Sequence, residues 1–215
     1  ELSPGDSITL ASGAILILKP DFSVDYDTSE VFNALQEGGT DTDTFEYTLC
    51  DEHGGTTTST VTVTVEGKND PPIAVADEAT VDQNGAVDVA VLANDSDPDD
   101  GDSISVIGVS QSQSGGIVSI NQDGTVNFDT DGDFNNLAVG ETAIVEFNYT
   151  IEDSFGETAT ADVASQIIVT GTNDGPNAIN DNTTTPGDSP INIDVLDNDF
   201  DPDTTDALQI TEVTQ

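Results

Sequence analysis

The chain repeats itself, and that periodicity limits its fold more than any other feature. Phe45-Glu46-Tyr47-Thr48-Leu49 recurs as Phe147-Asn148-Tyr149-Thr150-Ile151, an offset of 102 residues. The same offset carries Phe32, Asn33 and Leu35 onto Phe134, Asn135 and Leu137, and Asp51 and Gly54 onto Asp153 and Gly156. Gly67-Lys68-Asn69-Asp70 then falls on Gly171-Thr172-Asn173-Asp174 at an offset of 104, so the second copy carries two extra residues. Val91–Asp99 falls on Val195–Asp203, again at 104. Separated matches in constant order are the mark of a tandem array. The chain therefore reads as the later part of one repeat in residues 1–70, a complete repeat in 71–174, and the first part of a third in 175–215. Upstream of Gly13 the first copy no longer matches well. Both ends fall inside repeats, and the natural protein is expected to continue in both directions.

Within the complete repeat, apolar residues alternate in short runs bounded by Gly, Asn and Asp, the pattern of half-buried strands. Seven or eight strands are predicted: Ile73–Val81, Ala86–Leu92, Ser103–Val109, Ile117–Ile120, Thr125–Phe128, Ala143–Asp153 and Glu157–Thr170, with Asp131–Leu137 an irregular loop. Asp123-Gly124 supplies the tight turn between two of them. About 100 residues of short alternating strands without a long helical pattern predict an immunoglobulin-like sandwich. Phe147 and Tyr149, two residues apart, share a face and are expected in its core.

Charge narrows the setting. Asp and Glu number 43 against two lysines, Lys19 and Lys68, for a formal net charge of -41. Such a surface repels nucleic acid and anionic membrane. No stretch of 18 apolar residues exists to span a bilayer. Two lysines cannot neutralise the acids, so the chain is disordered, adapted to high salt, or compensated by bound cations. Alternation in 61-VTVTV-65 and 144-IVEFNYTI-151 argues against disorder. Diffuse halophilic acidity does not account for acids gathered in matching loops. The single cysteine, Cys50, forms no internal disulfide.

The densest acidic stretch is Asn94–Asp102, N-D-S-D-P-D-D-G-D, with five aspartates in nine residues. All its residue types also form solvated turns. Carboxylates this close repel one another unless a cation sits among them, and calcium accepts six to eight oxygen ligands in flexible geometry. The spacing is not that of an EF-hand: counting from Asp95, Asp100 stands where glycine is needed and Val106 where the bidentate glutamate is needed. In a sandwich, chain entry, the loop between the second and third strands, and the loop before the last strand share one pole. Here those are Asn69-Asp70, Asn94–Asp102 and Asp153. The predicted ligands at that pole are Asn69, Asp70, Asp95, Asp97, Asp99, Asp102 and Asp153. Asn173, Asp174, Asp199, Asp201, Asp203 and Asp206 rebuild it at the next junction. Asp77 and Asp181, early in the first strand of each copy, either join these sites or face solvent.

The motifs G-K-N-D-P-P and G-T-N-D-G-P, followed by V-L-A-N-D-S-D-P-D-D-G-D and F-N-Y-T-I-E-D-S-F-G, resemble VCBS and bacterial cadherin-like repeats of giant RTX-type adhesins. The resemblance covers nearly the whole chain and is weakest in residues 1–12. Pro71, straight after Asn-Asp, and Pro176, one residue later, both fit the family linker, and Gly175 is expected to loosen the second junction. The resemblance implies an all-β chain of tandem immunoglobulin-like or cadherin-like sandwiches joined by short calcium-binding linkers. It further implies secretion to a bacterial cell surface, and a stalk that extends an adhesin in cell adhesion or biofilm formation. Expected partners are neighbouring repeats of the same chain, with any cell-surface or glycan target held elsewhere in the parent protein.

Two other classes fit less well. A carbohydrate- or protein-ligand-binding module needs an aromatic-lined surface, and the chain has 3 Tyr, 8 Phe and no Trp. A hydrolase needs two carboxylates placed across a cleft, whereas these crowd at linkers. His53, the one histidine, aligns with Phe155, and Cys50 aligns with Glu152, so neither offers a catalytic group common to both copies. The chain is expected not to be an enzyme.

Overall fold

The computed structural model describes residues 3–214, and the fold is all-β. The strands are β1 (Ser7–Thr9), β2 (Ile15–Leu18), β3 (Val24–Asp27), β4 (Thr40–Cys50), β5 (Thr56–Glu66), β6 (Glu78–Asp82), β7 (Ala86–Val89) and β8 (Ser105–Val109). They continue with β9 (Ile117–Ile120), β10 (Val126–Asp129), β11 (Thr142–Phe147), β12 (Tyr149–Glu152), β13 (Thr158–Thr160) and β14 (Ser165–Thr170). A 3-10 turn, Val91–Ala93, follows β7.

Contacts gather the chain into two compact units. One comprises the chain through Ile73 together with Ser96–Ser105 and Ile151–Ala159. The other comprises Ala74–Asp95, Val106–Thr150 and the chain from Thr160 onward. The first unit holds a β1-β2-β3 sheet and the β4–β5 hairpin, whose strands stay in register from Thr40↔Glu66 to Cys50↔Thr56. In the second, one sheet runs β7-β10-β9 and another β11-β14-β6. β14 is antiparallel to β11 and parallel to β6. A further sheet has the order β13-β12-β8.

Alternation decides which side chains enter the core. Val126 and Phe128 on β10, Val145 and Phe147 on β11, Tyr149 on β12, and Ile167 and Val169 on β14 are all at most 1% exposed. Each such side chain contributes roughly 1.5–3 kcal/mol by leaving water. Phe128 and Phe134 meet as tilted rings with centroids 6.3 Å apart. Gly116 is required beside them: a Cβ there would lie 2.4 Å from the Phe128 ring, and its φ is +72°.

Several predicted strands are shortened or broken. Ala86–Leu92 stops at Val89, ahead of the 3-10 turn, and Ser103–Val109 begins at Ser105. Ile73–Val81 becomes regular only at Glu78, because Ile73 bridges Ser96 and the Val75 amide turns to Asp95 Oδ1 at 2.7 Å. Ala143–Asp153 breaks at Asn148, whose amide donates to Ser110 Oγ at 2.8 Å and whose carbonyl accepts from the Ser110 amide at 2.7 Å. Glu157–Thr170 breaks between Thr160 and Ser165. There the second copy has four residues where β5 has only Ser59 and Thr60. Extra residues cannot stay in an antiparallel ladder, so the insertion leaves the sheet.

Candidate metal centre

The first junction is assembled inside the first unit. Its linker is fixed by Gly67, whose amide donates to Gly39 O at 2.9 Å. A Cβ on Gly67 would lie 2.2 Å from Gln36 O and 2.4 Å from Leu35 O, so only glycine passes here. The linker then delivers Asn69 and Asp70 to the acidic loop. The Asp70 amide donates to Asp99 Oδ2 at 2.8 Å, and Asn69 Nδ2 donates to Asp153 Oδ2 at 2.8 Å. The loop is tied to the preceding repeat by the Asp100 amide, which donates to Ala34 O at 3.0 Å.

Each loop carboxylate divides its two oxygens. Asp97 Oδ1 accepts from the Asp99 amide at 2.9 Å, and Asp102 Oδ1 from the Ser103 amide at 2.6 Å. The Ser154 hydroxyl also donates to Asp102 Oδ1. The other oxygens, Asp97 Oδ2, Asp99 Oδ1 and Asp102 Oδ2, are buried without a hydrogen-bond partner, and so is Asn69 Oδ1. Asp153 closes the group from the β12–β13 turn, where its Oδ1 accepts from the amides of Phe155 and Glu157, both at 2.9 Å. Asp97, Asp102 and Asp153 each bring a carboxylate oxygen within 4.8 Å of the others. Asp99 is 3% exposed and Asp153 6%.

Burial pushes Asp97 above the ordinary carboxylate value, helped by the charges of Asp102, Asp99 and Asp153 and opposed by the Asp99 amide. Burial acts on Asp153 in the same sense, but hydrogen bonds from Asn69 and the backbone amides of Glu157, Phe155 and Gly156 hold it below that value. No lysine answers these charges: the only lysine ion pair among the described residues is Lys19 with Asp25, at 2.6 Å. Unpartnered buried acceptors with no donor near them call for a cation. The set is all oxygen, without His or Cys, which fits calcium or magnesium rather than zinc.

The second junction repeats this plan within the second unit. The Gly171 amide donates to Glu141 O at 2.9 Å, and a Cβ on Gly171 would lie 2.2 Å from Ala138 O. The Asp174 amide donates to Asp203 Oδ2 at 3.0 Å, and the Asp203 amide to Asp201 Oδ1 at 3.0 Å. The Thr204 amide reaches Asn136 O at 3.4 Å. Asp201, Asp203 and Asp206 again place carboxylate oxygens within 4.8 Å, and Asp203 Oδ1 is buried without a partner.

Other predicted ligands lie elsewhere. Asp95 gathers with Asp77 around Tyr149, whose Oη stands 3.0 Å from Asp95 Oδ1 and 2.7 Å from Val75 O. Burial raises Asp77, a hydrogen bond from Tyr149 opposes this, and the charge of Asp95 adds to it. Asp199 accepts from the Ile179 amide at 2.7 Å, as Asp95 does from Val75. Asp181 is exposed, and Asn173 Nδ2 turns to Asp174 O at 2.7 Å. Two contributors are announced by none of the acidic motifs. Gln83, fully buried, grips the second linker: its amide nitrogen donates to Asp174 Oδ2 at 2.8 Å, and its oxygen accepts from the Thr172 amide at 3.1 Å. Its counterpart, Gly187, cannot do so, which hides it from an alignment of the copies. The Ala34 carbonyl is invisible to any reading of side chains.

Residues 3–64 and 69–166 match the family model of a bacterial Ig domain, and the chain belongs to that family. Among curated proteins, no sequence matches it. Similar solved structures include protocadherin gamma B2 extracellular cadherin domains 1–5, at 15% identity and a TM-score of 0.39, covering 88% of this chain and 41% of that one. The protocadherin gamma B4 extracellular domain gives 15% identity and a TM-score of 0.39, covering 86% of this chain and 29% of the other. A nucleoside hydrolase-related hypothetical protein from Saccharophagus degradans gives 19% and 0.32, covering 48% of this chain and 26% of its own. The chain thus spans less than half the length of each of these structures.

Proposed function

We propose that the chain is a calcium-stiffened stalk segment of a large bacterial surface adhesin, built from VCBS-type repeats of which residues 71–174 are one complete copy. The observation that carries this reading is the set of buried, unpartnered oxygens on Asn69, Asp97, Asp99 and Asp102, gathered where the linker meets the acidic loop. Calcium held there draws linker, loop and turn together and fixes the direction in which the chain continues. Without it the same carboxylates repel and the linker becomes a hinge. A site formed only in the ordered chain adds stability by mass action, about 2.7 kcal/mol at a hundredfold excess over Kd. Extracellular calcium modules bind at roughly 10⁻⁴–10⁻³ M. The sites are then empty inside a cell and filled outside it, which suits a chain exported before it stiffens.

In this reading the module is structural rather than catalytic, its immediate partners are the neighbouring repeats, and any target is bound elsewhere in the parent protein. Nothing favours a ligand-binding module. One surface concavity, about 360 Å³, is lined by Leu49, Cys50, Asp51, Gly55, Thr56 and Thr57, without an aromatic ring. The test is a thermal melt followed by circular dichroism in chelator, in millimolar calcium and in magnesium. A calcium-specific rise in Tm is expected. Superimposable curves would remove the cation from the mechanism.

A further inference from the structure

The turn between β6 and β7 reads Asp82-Gln83-Asn84-Gly85, and Asn84 is the one asparagine of the chain that precedes glycine. The turn carries the chain out of the β11-β14-β6 sheet and into the β7-β10-β9 sheet. Main-chain hydrogen bonds hold it on both sides of Asn84. The Gly85 amide donates to Asp82 O at 2.9 Å, the Gln83 amide to Thr170 O at 2.9 Å, and the Thr130 amide to Gly85 O at 3.1 Å. Asn84 itself is exposed, directly after the fully buried Gln83.

That setting favours a reaction of the chain with itself. The Cγ of an asparagine and the amide nitrogen of the next residue can close a five-membered ring. A glycine in second place puts no Cβ in the way, whereas every other asparagine here is followed by a residue with a side chain. Asp100, Asp123, Asp131 and Asp174 also precede glycine, but an ionised carboxylate repels the attacking nitrogen. The Gly85 amide is engaged with Asp82 O, so closure waits for the turn to open, a local event at an exposed loop tip.

We propose that Asn84 is a site of spontaneous covalent modification that releases the second linker as the chain ages. The Gly85 nitrogen bonds to Asn84 Cγ, and the bond from Cγ to the side-chain nitrogen breaks. The Gly85 amide proton leaves with that nitrogen as ammonia. Water then opens the cyclic imide at either carbonyl. Opening at Cγ gives aspartate in an unchanged main chain. Opening at the other carbonyl routes the main chain through Cγ, which adds one methylene to it and leaves a free carboxylate. The reaction consumes only water.

The added methylene falls between the bond of Gln83 to Thr170 and the bond of Gly85 to Thr130, so the turn cannot keep both. Gln83 is displaced with it. Its side chain accepts from the Thr172 amide at 3.1 Å, and donates to Thr172 O at 3.2 Å and to Asp174 Oδ2 at 2.8 Å. A shift of the Gln83 backbone pulls all three apart and frees the linker. The change is made in the turn and felt at the junction.

The test is storage of the 215-residue chain in chelator at mildly alkaline pH, then proteolysis with mass spectrometry and hydrogen exchange on the same samples. The peptide holding Asn84 is expected to gain one mass unit before any other asparagine peptide does, and to become a substrate for isoaspartyl methyltransferase. In the aged chain the Thr172 amide is expected to exchange several-fold faster than in the fresh chain, while the Asp70 amide keeps its rate. Asn84→Gln keeps an exposed amide but must close a larger ring, and is expected to hold both its mass and its Thr172 exchange. Fresh Asn84→Asp carries the new charge without the new methylene, and is expected to exchange at Thr172 as fresh wild type does. Another asparagine reacting first, an aged chain with unchanged Thr172 exchange, mass gain at position 84 in Asn84→Gln, or fast exchange in fresh Asn84→Asp would each overturn the proposal. No cation enters these readouts, so a failure here is distinct from a failure of the calcium-dependent melt.

Discussion

The two junctions share a plan, and among the described residues the first carries one more element of it. Both run from a glycine pressed on a carbonyl, through Asn-Asp, to an amide that lands on a buried aspartate: Asp70 on Asp99, Asp174 on Asp203. The first has in addition Asp153, anchored in its own turn and held by Asn69. The described part of the second junction is linker and loop without such a third element, and Asn173 donates to the following carbonyl, as Asn69 also does. Linker and loop therefore meet in the same way at both, each also tied to the chain that precedes the linker: Asp100 to Ala34, Thr204 to Asn136. At the first, the β12–β13 turn adds Asp153 to them. That is also where the charge cost peaks, since Asp97 feels Asp102, Asp99 and Asp153 together.

The strongest way to break the comparison is to remove charge without removing shape. Asp97→Asn with Asp102→Asn keeps an oxygen for the Asp99 and Ser103 amides while taking away two ligands. The calcium increment of the first junction, about 2.7 kcal/mol at a hundredfold excess over Kd, should disappear from melts in calcium. In chelator the same variant should melt no lower than wild type. Asp203→Asn should spare that increment, and a titration by calorimetry should then lose only the second site. Equal losses from both variants would mean that the third element is irrelevant.

Next in size, Gly67→Ala and Gly171→Ala should each destabilise by roughly 1–3 kcal/mol, because a methyl group has no room beside the carbonyls. Chemical denaturation in chelator would read this, with the two effects similar. Gln83→Ala should cost about 1–2 kcal/mol at the second linker alone. Hydrogen exchange should report faster opening of Thr172 and Asp174 while Asp70 is unchanged.

The smallest effect is in pH. Asp77 and Asp97 are raised above 3.8 by burial, so the folded chain binds their protons more tightly than the unfolded chain. In chelator, their contribution is present below 3.8 and lost as pH rises through their folded values. Stability should increase modestly on acidification from neutrality into that window. The lowered Asp153 acts oppositely, but only as pH falls through its folded value below 3.8. Asp77→Asn should flatten part of the slope in urea titrations at several pH values.

Much of this is legible in the amino-acid sequence. Alternation marks the strands, and the Asp-Gly turn and the repeat offset place them. The position of loops in a sandwich brings Asn69, Asp70, Asp97, Asp99, Asp102 and Asp153 to one pole. What stays hidden depends on contacts rather than composition. Asp95 carries the same charge as Asp97, yet it turns to the Val75 amide and the Tyr149 hydroxyl, partners that lie far away in sequence. The break after Thr160 follows from two added residues whose location the offset alone leaves open. Gln83 acts through Thr172 and Asp174, a pairing that no local pattern announces.

The parallel pairing of β6 with β14 has a mechanical consequence. The first linker leads into β6 and the second leads out of β14, and the register from Gln166↔Glu78 to Thr170↔Asp82 binds the two strands together. A pull on the two ends drags these strands in opposite directions along their length. Their hydrogen bonds then bear load side by side and must fail together, unlike a hairpin pulled at its open end, which unzips one rung at a time. Pulling on the ends of this chain should therefore break the β6–β14 pair in one abrupt step rather than by gradual unzipping.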